Sequence, residues 1–409
     1  MNWALRCGSV LLVFCLLAGV VAPAGGELAT QERSSGQVTI TPNTNGTNYL
    51  SPVDPDTEGY ERIGADVSSA ASISAQTIHS EHDNQVRADQ LSTNNRTSRA
   101  LTANAQLNSV ETRFKLIEQR RERLYAAYEA GEIADRVLLR NLVTLQIIAK
   151  AQVENYDRAV DNTEIGIERL SQLETLADGV TPERPVVDLA AEAMSNGEDG
   201  QIIYLQGTEE GVAIATVSEG RFIRQATLLS ERNFDGRDRF KLAQDISIDD
   251  DDWATPQGYS EAQTRLAELY PWAYDVRQIE PGAINPLSRT YSFTVPNSQG
   301  ELTTYFDGAT RDVFHENQAG FVESYSIDGI ISNRTESLRI TLGLTHESGP
   351  LRVTVEDDGQ PVSGATVRID GEPVGTTNSD GQLWTVQPIE GFEVTATTPD
   401  EETGAISFP

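Results

Sequence analysis

The sequence predicts a multidomain α and β protein. It has an N-terminal long helical hairpin, a central α+β domain and a C-terminal immunoglobulin/transthyretin-like β-sandwich. Three observations predict this. Apolar residues recur in alternating steps of three and four from Ala100 to Leu176. Apolar runs of strand length begin after Val180. From Pro350 to Thr398 the chain alternates strongly, with Gly turns at roughly ten-residue spacing.

The first 24 residues read as a secretory signal peptide. Arg6 supplies the positive region, Val10–Val21 the short apolar core, and Ala22-Pro23-Ala24 the cleavage site. No twin Arg precedes the core, which points to the general secretory route. The alternative is a retained anchor, for which the run falls short of the roughly 20 residues a span needs. Both cysteines, Cys7 and Cys15, lie in this leader. The processed chain then has no disulfide, thiol nucleophile or Cys-ligated metal.

Residues 25–62 are rich in Thr, Asn, Gly, Ser and Pro and read as a flexible linker. Residues 63–180 form the helical region. Its first part has sparse anchors (Val67, Ile73, Ile78, Val86, Leu91) and a break near Asn94-Asn95. The first rod of the hairpin then carries Ala103, Leu107, Val110, Phe114, Ile117, Leu124 and Tyr128, with Arg121 the one interruption of its seam. Gly131 makes the turn. The second rod carries Leu142, Leu145, Ala149, Val153, Tyr156, Val160, Ile167, Leu170 and Leu173, and stops at Asp178-Gly179.

The α+β domain spans 183–333. Gln201–Leu205, Val212–Val217 and Arg221–Leu229 predict a β-meander, and Tyr259–Leu269 an amphipathic helix ended by Pro271. Arg289–Val295, Leu302–Phe306, Asp312–His315 and Phe321–Ile327 continue the sheet. The β-sandwich covers 336–399, with turns at Asp357-Asp358-Gly359, Asp370-Gly371 and Ser379-Asp380-Gly381, and residues 400–409 read as a frayed tail. No apolar tail follows that would anchor the C-terminus.

Charge restricts the environment and the partners. The chain has 62 Asp plus Glu against 31 Lys plus Arg, a net charge of −31. Lys115, Lys150 and Lys241 are its only lysines. Such charge repels itself at low ionic strength, where the Debye length reaches ~30 Å, and is screened in molar salt, where it is ~3 Å. The composition therefore suits brine. The same field repels nucleic acid and acidic lipid, so neither is an expected partner.

Pro361–Val367 and Thr377–Gly381 resemble the Pro-Val-x-Gly-Ala-x-Val strand and Thr-x-x-x-Asp-Gly turn of the carboxypeptidase regulatory-like β-sandwich. That resemblance implies a spacer, adhesion or accessory module without catalytic residues. Tyr291–Val295 followed by Gly300–Phe314 is similar to the closing hairpin of PepSY-type domains, with Arg311 where that family has Gly. This second resemblance implies a link to propeptides and protease inhibition. The order of parts, with Tyr128-Glu-Ala-Gly-Glu-Ile133 at the helical turn, resembles secreted haloarchaeal multidomain proteins of unknown function.

Catalytic signatures are weak. His79 and His82 share a helix face, yet the frame is not H-E-x-x-H, so exposed polar histidines are expected. Asp249–Asp252 reads as a solvated acidic loop without EF-hand spacing. Asp357, Asp358 and Asp380 sit where turns favour Asp for backbone reasons, with calcium as the alternative. Trp253 and Tyr270–Tyr274 form either core packing or an aromatic sugar platform. There is no G-x-S-x-G elbow, P-loop or G-x-G-x-x-G. No catalytic, cofactor or metal residue is assigned. Three frames for N-glycosylation stand at Asn45, Asn95 and Asn333, with Asn45 favoured.

The functional expectation is a non-enzymatic secreted or cell-surface protein of a high-salt organism. It would meet a protein or envelope partner through the helical seam or the β-sandwich. The alternatives are a secreted PepSY-like regulator of a protease, and a hydrolase whose site is assembled from residues distant in sequence.

Overall fold

The computed structural model describes residues 40–42, 48–52, 55, 57–92, 95–180, 182–196, 200–240, 257–273, 280–281, 289–335 and 337–409. The chain opens with β1 (Ile40–Pro42) paired to β2 (Asn48–Leu50), followed by β3 (Thr57–Ile63). Five helices follow: α1 (Val67–Leu91), α2 (Arg96–Glu129), α3 (Asp135–Val160), α4 (Ile167–Val180) and α5 (Pro185–Asn196).

Their starts are written locally. Asp66 accepts hydrogen bonds from the backbone N–H of Ser68 and Ser69 to begin α1, and Asn95 does the same for Thr97 and Ser98 at α2. Pro185 opens α5 at a position where a missing N–H costs nothing. Gly131, at φ 67°, turns the chain from α2 to α3. The seam closes as its spacing predicts. Leu107, Val110, Phe114 and Ile117 of α2 pack with Ala149, Tyr156 and Ala159 of α3, and with Leu173, Leu176, Ala177 and Val180 of α4.

The helical region differs from a simple hairpin in two ways. The second rod breaks after Val160, where the N–H groups of Asn162 and Thr163 turn back to Ala159 and Val160, so α4 is a separate helix. The sparse segment before it forms the long helix α1, which packs on α3 through polar as well as apolar residues. Buried Asn84 accepts a hydrogen bond from Asn155 at 2.7 Å.

An antiparallel sheet of eight strands takes the centre. Its strands are β3, β4 (Gln201–Gly207), β5 (Gly211–Ser218), β6 (Arg221–Leu228), then β7 (Glu280–Pro281), β8 (Thr290–Pro296), β9 (Glu301–Asp307) and β10 (Val313–Phe321). Their order is β3-β4-β5-β6-β10-β9-β8-β7. Alternation assigns the two faces. Val212 and Ile214 of β5 meet Leu139, Val143, Val186 and Met194 of the helices. Ala213 faces the other way, into a core with Leu50, Phe240, Phe293, Phe306 and α6 (Gln257–Leu269).

Several sequence expectations are corrected here. The supposed linker 25–62 holds strand β3, paired in register from Thr57↔Gly207 to Ile63↔Gln201. As an edge strand it buries Ile63 fully but leaves Glu58 and Arg62 exposed, which is why no apolar face showed. β10 runs nine residues because Glu316, Asn317 and Gln318 are buried polar strand residues that hid its length. Phe321–Ile327 is not a strand, since Val322–Ser324 turns as a 3-10 helix.

The sandwich begins earlier and ends later than 336–399. One sheet holds β11 (Gly329–Thr335), β12 (Leu338–Leu344), β13 (Pro350–Asp357) and β14 (Gln360–Pro361), with β17 (Gln382–Val386) on β13. The other holds β15 (Thr366–Ile369), β16 (Glu372–Thr376), β18 (Phe392–Thr397) and β19 (Thr403–Phe408) in the order β16-β15-β18-β19. The tail 400–409 is therefore mostly strand, held by pairing to β18 and by buried Ile406. Asp358-Gly359 and Asp370-Gly371 are both left-handed, at φ 45° and 81° and at 49° and 87°.

Candidate functional site

Polar chemistry concentrates where the sheet meets its surroundings. On β6 and β10, Arg224 and Glu316 are both buried and pair at 3.3 Å. Glu316 also accepts from the Leu50 N–H at 2.8 Å, the Tyr270 hydroxyl at 2.6 Å and Gln318 Nε2 at 2.9 Å. Arg224 Nη2 donates to the Leu50 carbonyl at 2.7 Å, and its guanidinium lies 4.9 Å from the Tyr49 ring centre. Burial raises the Glu316 carboxyl, while Arg224 and the donated hydrogen bonds oppose that rise. The network ties Leu50, β6, β10 and the residue after α6 at one point.

A second charged group surrounds the end of α4. Arg121 donates to Glu118 at 2.7 Å and to the Val180 carbonyl at 3.2 Å. Arg232 is held between Phe234 and Phe314, 4.2 and 4.1 Å from their ring centres, and reaches Asp307 at 3.8 Å. Guanidinium groups at the carbonyl end of a helix meet its negative pole. Burial lowers Arg184 to about 10, with the Arg121 charge assisting. His315 is fully buried; burial first, then Arg184, holds its pKa well below the usual range. Its Nε2 lies 2.9 Å from the Glu183 carbonyl and its Nδ1 2.7 Å from the Thr227 hydroxyl. A neutral ring satisfies both by donating from Nε2 and accepting at Nδ1. These groups face the backbone, and their arrangement is architectural.

A third feature opens to solvent. The sandwich docks on the β3–β5 end of the sheet through Tyr60, Tyr204, Ala215, Phe222, Tyr325 and Val386. The Tyr60 hydroxyl donates to the Val386 carbonyl at 2.5 Å, and Tyr204 donates to Glu58. Beside this contact lies a cleft of about 290 Å³ with Tyr60, Tyr204 and Trp384 in its walls and Arg62, Gln201 and Glu219 around it.

The residues singled out from sequence fall elsewhere. Asn45, Asp249–Asp252, Trp253 and Tyr274 lie outside the described residues. Asn95 is exposed at the start of α2. Asn333 is exposed on β11, with Nδ2 donating to the Ala405 carbonyl at 2.8 Å. His79 and His82 are both exposed on α1. Tyr270 is no part of a sugar platform, being buried with its hydroxyl on Glu316. Arg121, the apparent flaw in the seam, is satisfied within the chain by Glu118 and α4. It leaves no seam open for a partner helix at that point. Among the described residues, no three His, Cys, Asp or Glu side chains are grouped to hold a metal. No described helix is long and apolar enough to cross a membrane. The Arg224–Glu316 network was missed from sequence. The one signal was a run of polar residues, Glu316-Asn317-Gln318, inside a strand.

Three family models each match a separate part of the chain. Residues 330–405 match an archaeal fibronectin-III type-like domain. Residues 7–200 match a domain of unknown function (DUF7096), and residues 203–326 a family of unknown function (DUF7094). No curated protein and no solved structure matches the chain. The C-terminal match is to a fibronectin-III type sandwich, where the turn motifs resembled a carboxypeptidase regulatory-like one. The matches over 7–200 and 203–326 adjoin at the start of β4, which pairs with β3 along the whole length of both strands, so the two matched regions share one sheet.

Proposed function

We propose that the protein is a non-enzymatic, exported surface protein of a high-salt organism that presents its fibronectin-III type-like sandwich for interaction at the envelope. The observation that supports this most is the docking of that sandwich. Tyr60 and Tyr204 fix Val386 and its neighbours against the central sheet, so the module is held at a set orientation. The buried Arg121, Arg224 and Arg232 are partnered by carboxylates and carbonyls of the chain itself. The leader and the net charge of −31 support export and brine. Glycosylation at Asn95 and Asn333 is compatible with their exposure.

The test is fractionation of cells grown in molar salt, followed by binding of purified protein to cells stripped of it. The reading requires the protein in envelope or medium, saturable binding to stripped cells, and a thermal midpoint that falls as salt is removed. Recovery in the cytosol, or a midpoint indifferent to salt, overturns it.

A second reading is a secreted protease regulator. Arg311 adopts φ 72° at the turn where PepSY-type domains place Gly, so the backbone there takes the conformation that glycine favours. Inhibition of a co-secreted protease at stoichiometric protein would support it.

A further inference from the structure

We infer that the cleft between the central sheet and the sandwich is a binding site for a neutral sugar ring. The inference rests on the surface-interaction reading and names the ligand class of that surface. The cleft lies at a junction between two modules, where concave ligand sites concentrate. Its volume of about 290 Å³ is at the lower end of the ~300–1,000 Å³ usual for ligand pockets. That is room for one ring and not for an extended chain.

The walls suit a flat, weakly polar face. Tyr60 and Trp384 are the half-buried rings of the wall. The Tyr204 ring is buried behind Tyr60, 5.0 Å away at 44°, and backs it, each tyrosine being fixed by its hydroxyl, on Val386 and Glu58 respectively. Arg352 lies 5.7 Å from the Trp384 ring centre. Preset aromatic faces cost little ordering on binding.

The polar groups select hydroxyls. Arg62 lines the cleft with positive charge and Glu219 with negative charge, while the Gln201 amide nitrogen is held by Thr216 and the Val217 carbonyl and serves to fix the wall. Glu219 stands at φ 50° beside Gly220 at φ 72°, in the tight turn between β5 and β6, so its position is set by a rigid hairpin. A hydroxyl both donates and accepts, and a ring carrying several can answer groups of both signs. A purely apolar ligand would strip water from these charges without replacing it. An acidic sugar would meet Glu219 locally and the net charge of −31 at longer range.

The experiment uses the full chain in molar salt and the methyl glycosides of glucose, galactose, mannose and N-acetylglucosamine. Binding is read by saturation-transfer NMR and tryptophan fluorescence. At least one glycoside should bind saturably at millimolar concentration. Trp384→Ala should weaken it about tenfold, the loss of one stacked ring face. Glu219→Gln, on an exposed turn that should fold normally, should weaken it about threefold. No saturable binding to any of the four, or equal binding by the wild type and both variants, overturns the cleft assignment. The attachment assay to stripped cells separates the two readings. Attachment that persists without any glycoside binding rejects the cleft and keeps the surface role. Glycoside binding lost in the variants, without cell attachment, keeps the cleft and rejects the surface role.

Discussion

The sandwich and the central sheet bury opposite materials. The sandwich interior is aliphatic: Ile340, Leu342, Val353, Val355, Val367, Ile369 and Val394 are all buried in one cluster. The sheet, beside its aromatic core, buries Arg224 with Glu316, Arg232 with Asp307, and His315. Apolar burial is non-directional, so the sandwich core needs only its own strands. A buried charge is tolerated only with specific partners, and here these come from distant segments: Leu50, Tyr270, Val180, Glu183. The sheet's charges act as registry pins. They fix where the N-terminal strands, α4 and α6 must sit.

The sharpest way to break this comparison is to remove one pin. Arg224→Ala leaves Glu316 buried without its cation, and should cost about 3–5 kcal/mol. It should also release the segment around Leu50, whose carbonyl Arg224 holds. Urea unfolding would measure the first effect, and limited proteolysis near residues 48–52 the second. The paired change Arg224→Met with Glu316→Leu should cost less than the sum of the two single changes, since no lone charge remains. If Arg224→Ala proves as mild as a surface change, the pins are decorative.

In the sandwich the largest effect should come from volume alone. Leu342→Ala opens a cavity in the aliphatic cluster and should cost about 3 kcal/mol. The loss should be local, with the β2–Arg224 contact still protected in hydrogen exchange. Equal loosening of both regions would mean that they unfold as one unit.

The same contrast explains what the sequence disclosed. The sandwich strands were legible because Val353 and Val355, or Val367 and Ile369, alternate with polar neighbours and end at Asp-Gly turns. The seam of α2 was legible for the same reason, period and burial agreeing from Leu107 to Ile117. The pins were not legible. Arg121 reads as a flaw until α4 supplies its carbonyls 58 and 59 residues away. β3 reads as linker because an edge strand of Thr, Glu, Gly, Tyr and Arg shows no apolar face. Its partner lies more than a hundred residues downstream. The cleft was invisible too, because Tyr60, Glu219 and Trp384 meet only through the docking of two modules.

Between the two regions stands a smaller test. His346 is buried against Tyr49, with the Phe222 and Tyr325 rings 6.4 and 6.1 Å away and Nδ1 on the Glu347 carbonyl; the Arg224 charge also bears on it. Burial lowers its pKa from 6.5 to about 4. The folded state therefore holds the neutral ring. Its contribution is full above the ordinary histidine range and is lost as pH falls towards and through about 4. Between pH 7 and pH 4 the wild type should lose about 2 kcal/mol more than His346→Phe, whose ring cannot take a proton. Equal acid losses in the two proteins would remove His346 from the junction's pH response.

The smallest expected effect concerns a buried charge that has no cation in contact among the described residues. Glu231, in the turn after β6, is buried, and its carboxyl is raised from 4.5 to about 7 by burial, with the Asp312 and Glu210 charges adding to the rise. A raised folded value means that folding favours the protonated acid. That stabilisation is full below the ordinary carboxylate range and is lost as pH rises through about 7. Glu231→Gln keeps the shape and removes the charge. It should be near neutral at pH 4 and stabilise by about 1 kcal/mol at pH 8, read as a shift in the urea midpoint. Burial raises the Glu316 carboxyl as well, so linkage alone gives it the same sign as Glu231. What sets Glu316 apart is the buried Arg224 guanidinium at 3.3 Å, which Glu316→Gln leaves without its anion. Destabilisation by Glu316→Gln at pH 8 shows that the ion pair outweighs burial there, and stabilisation shows the reverse.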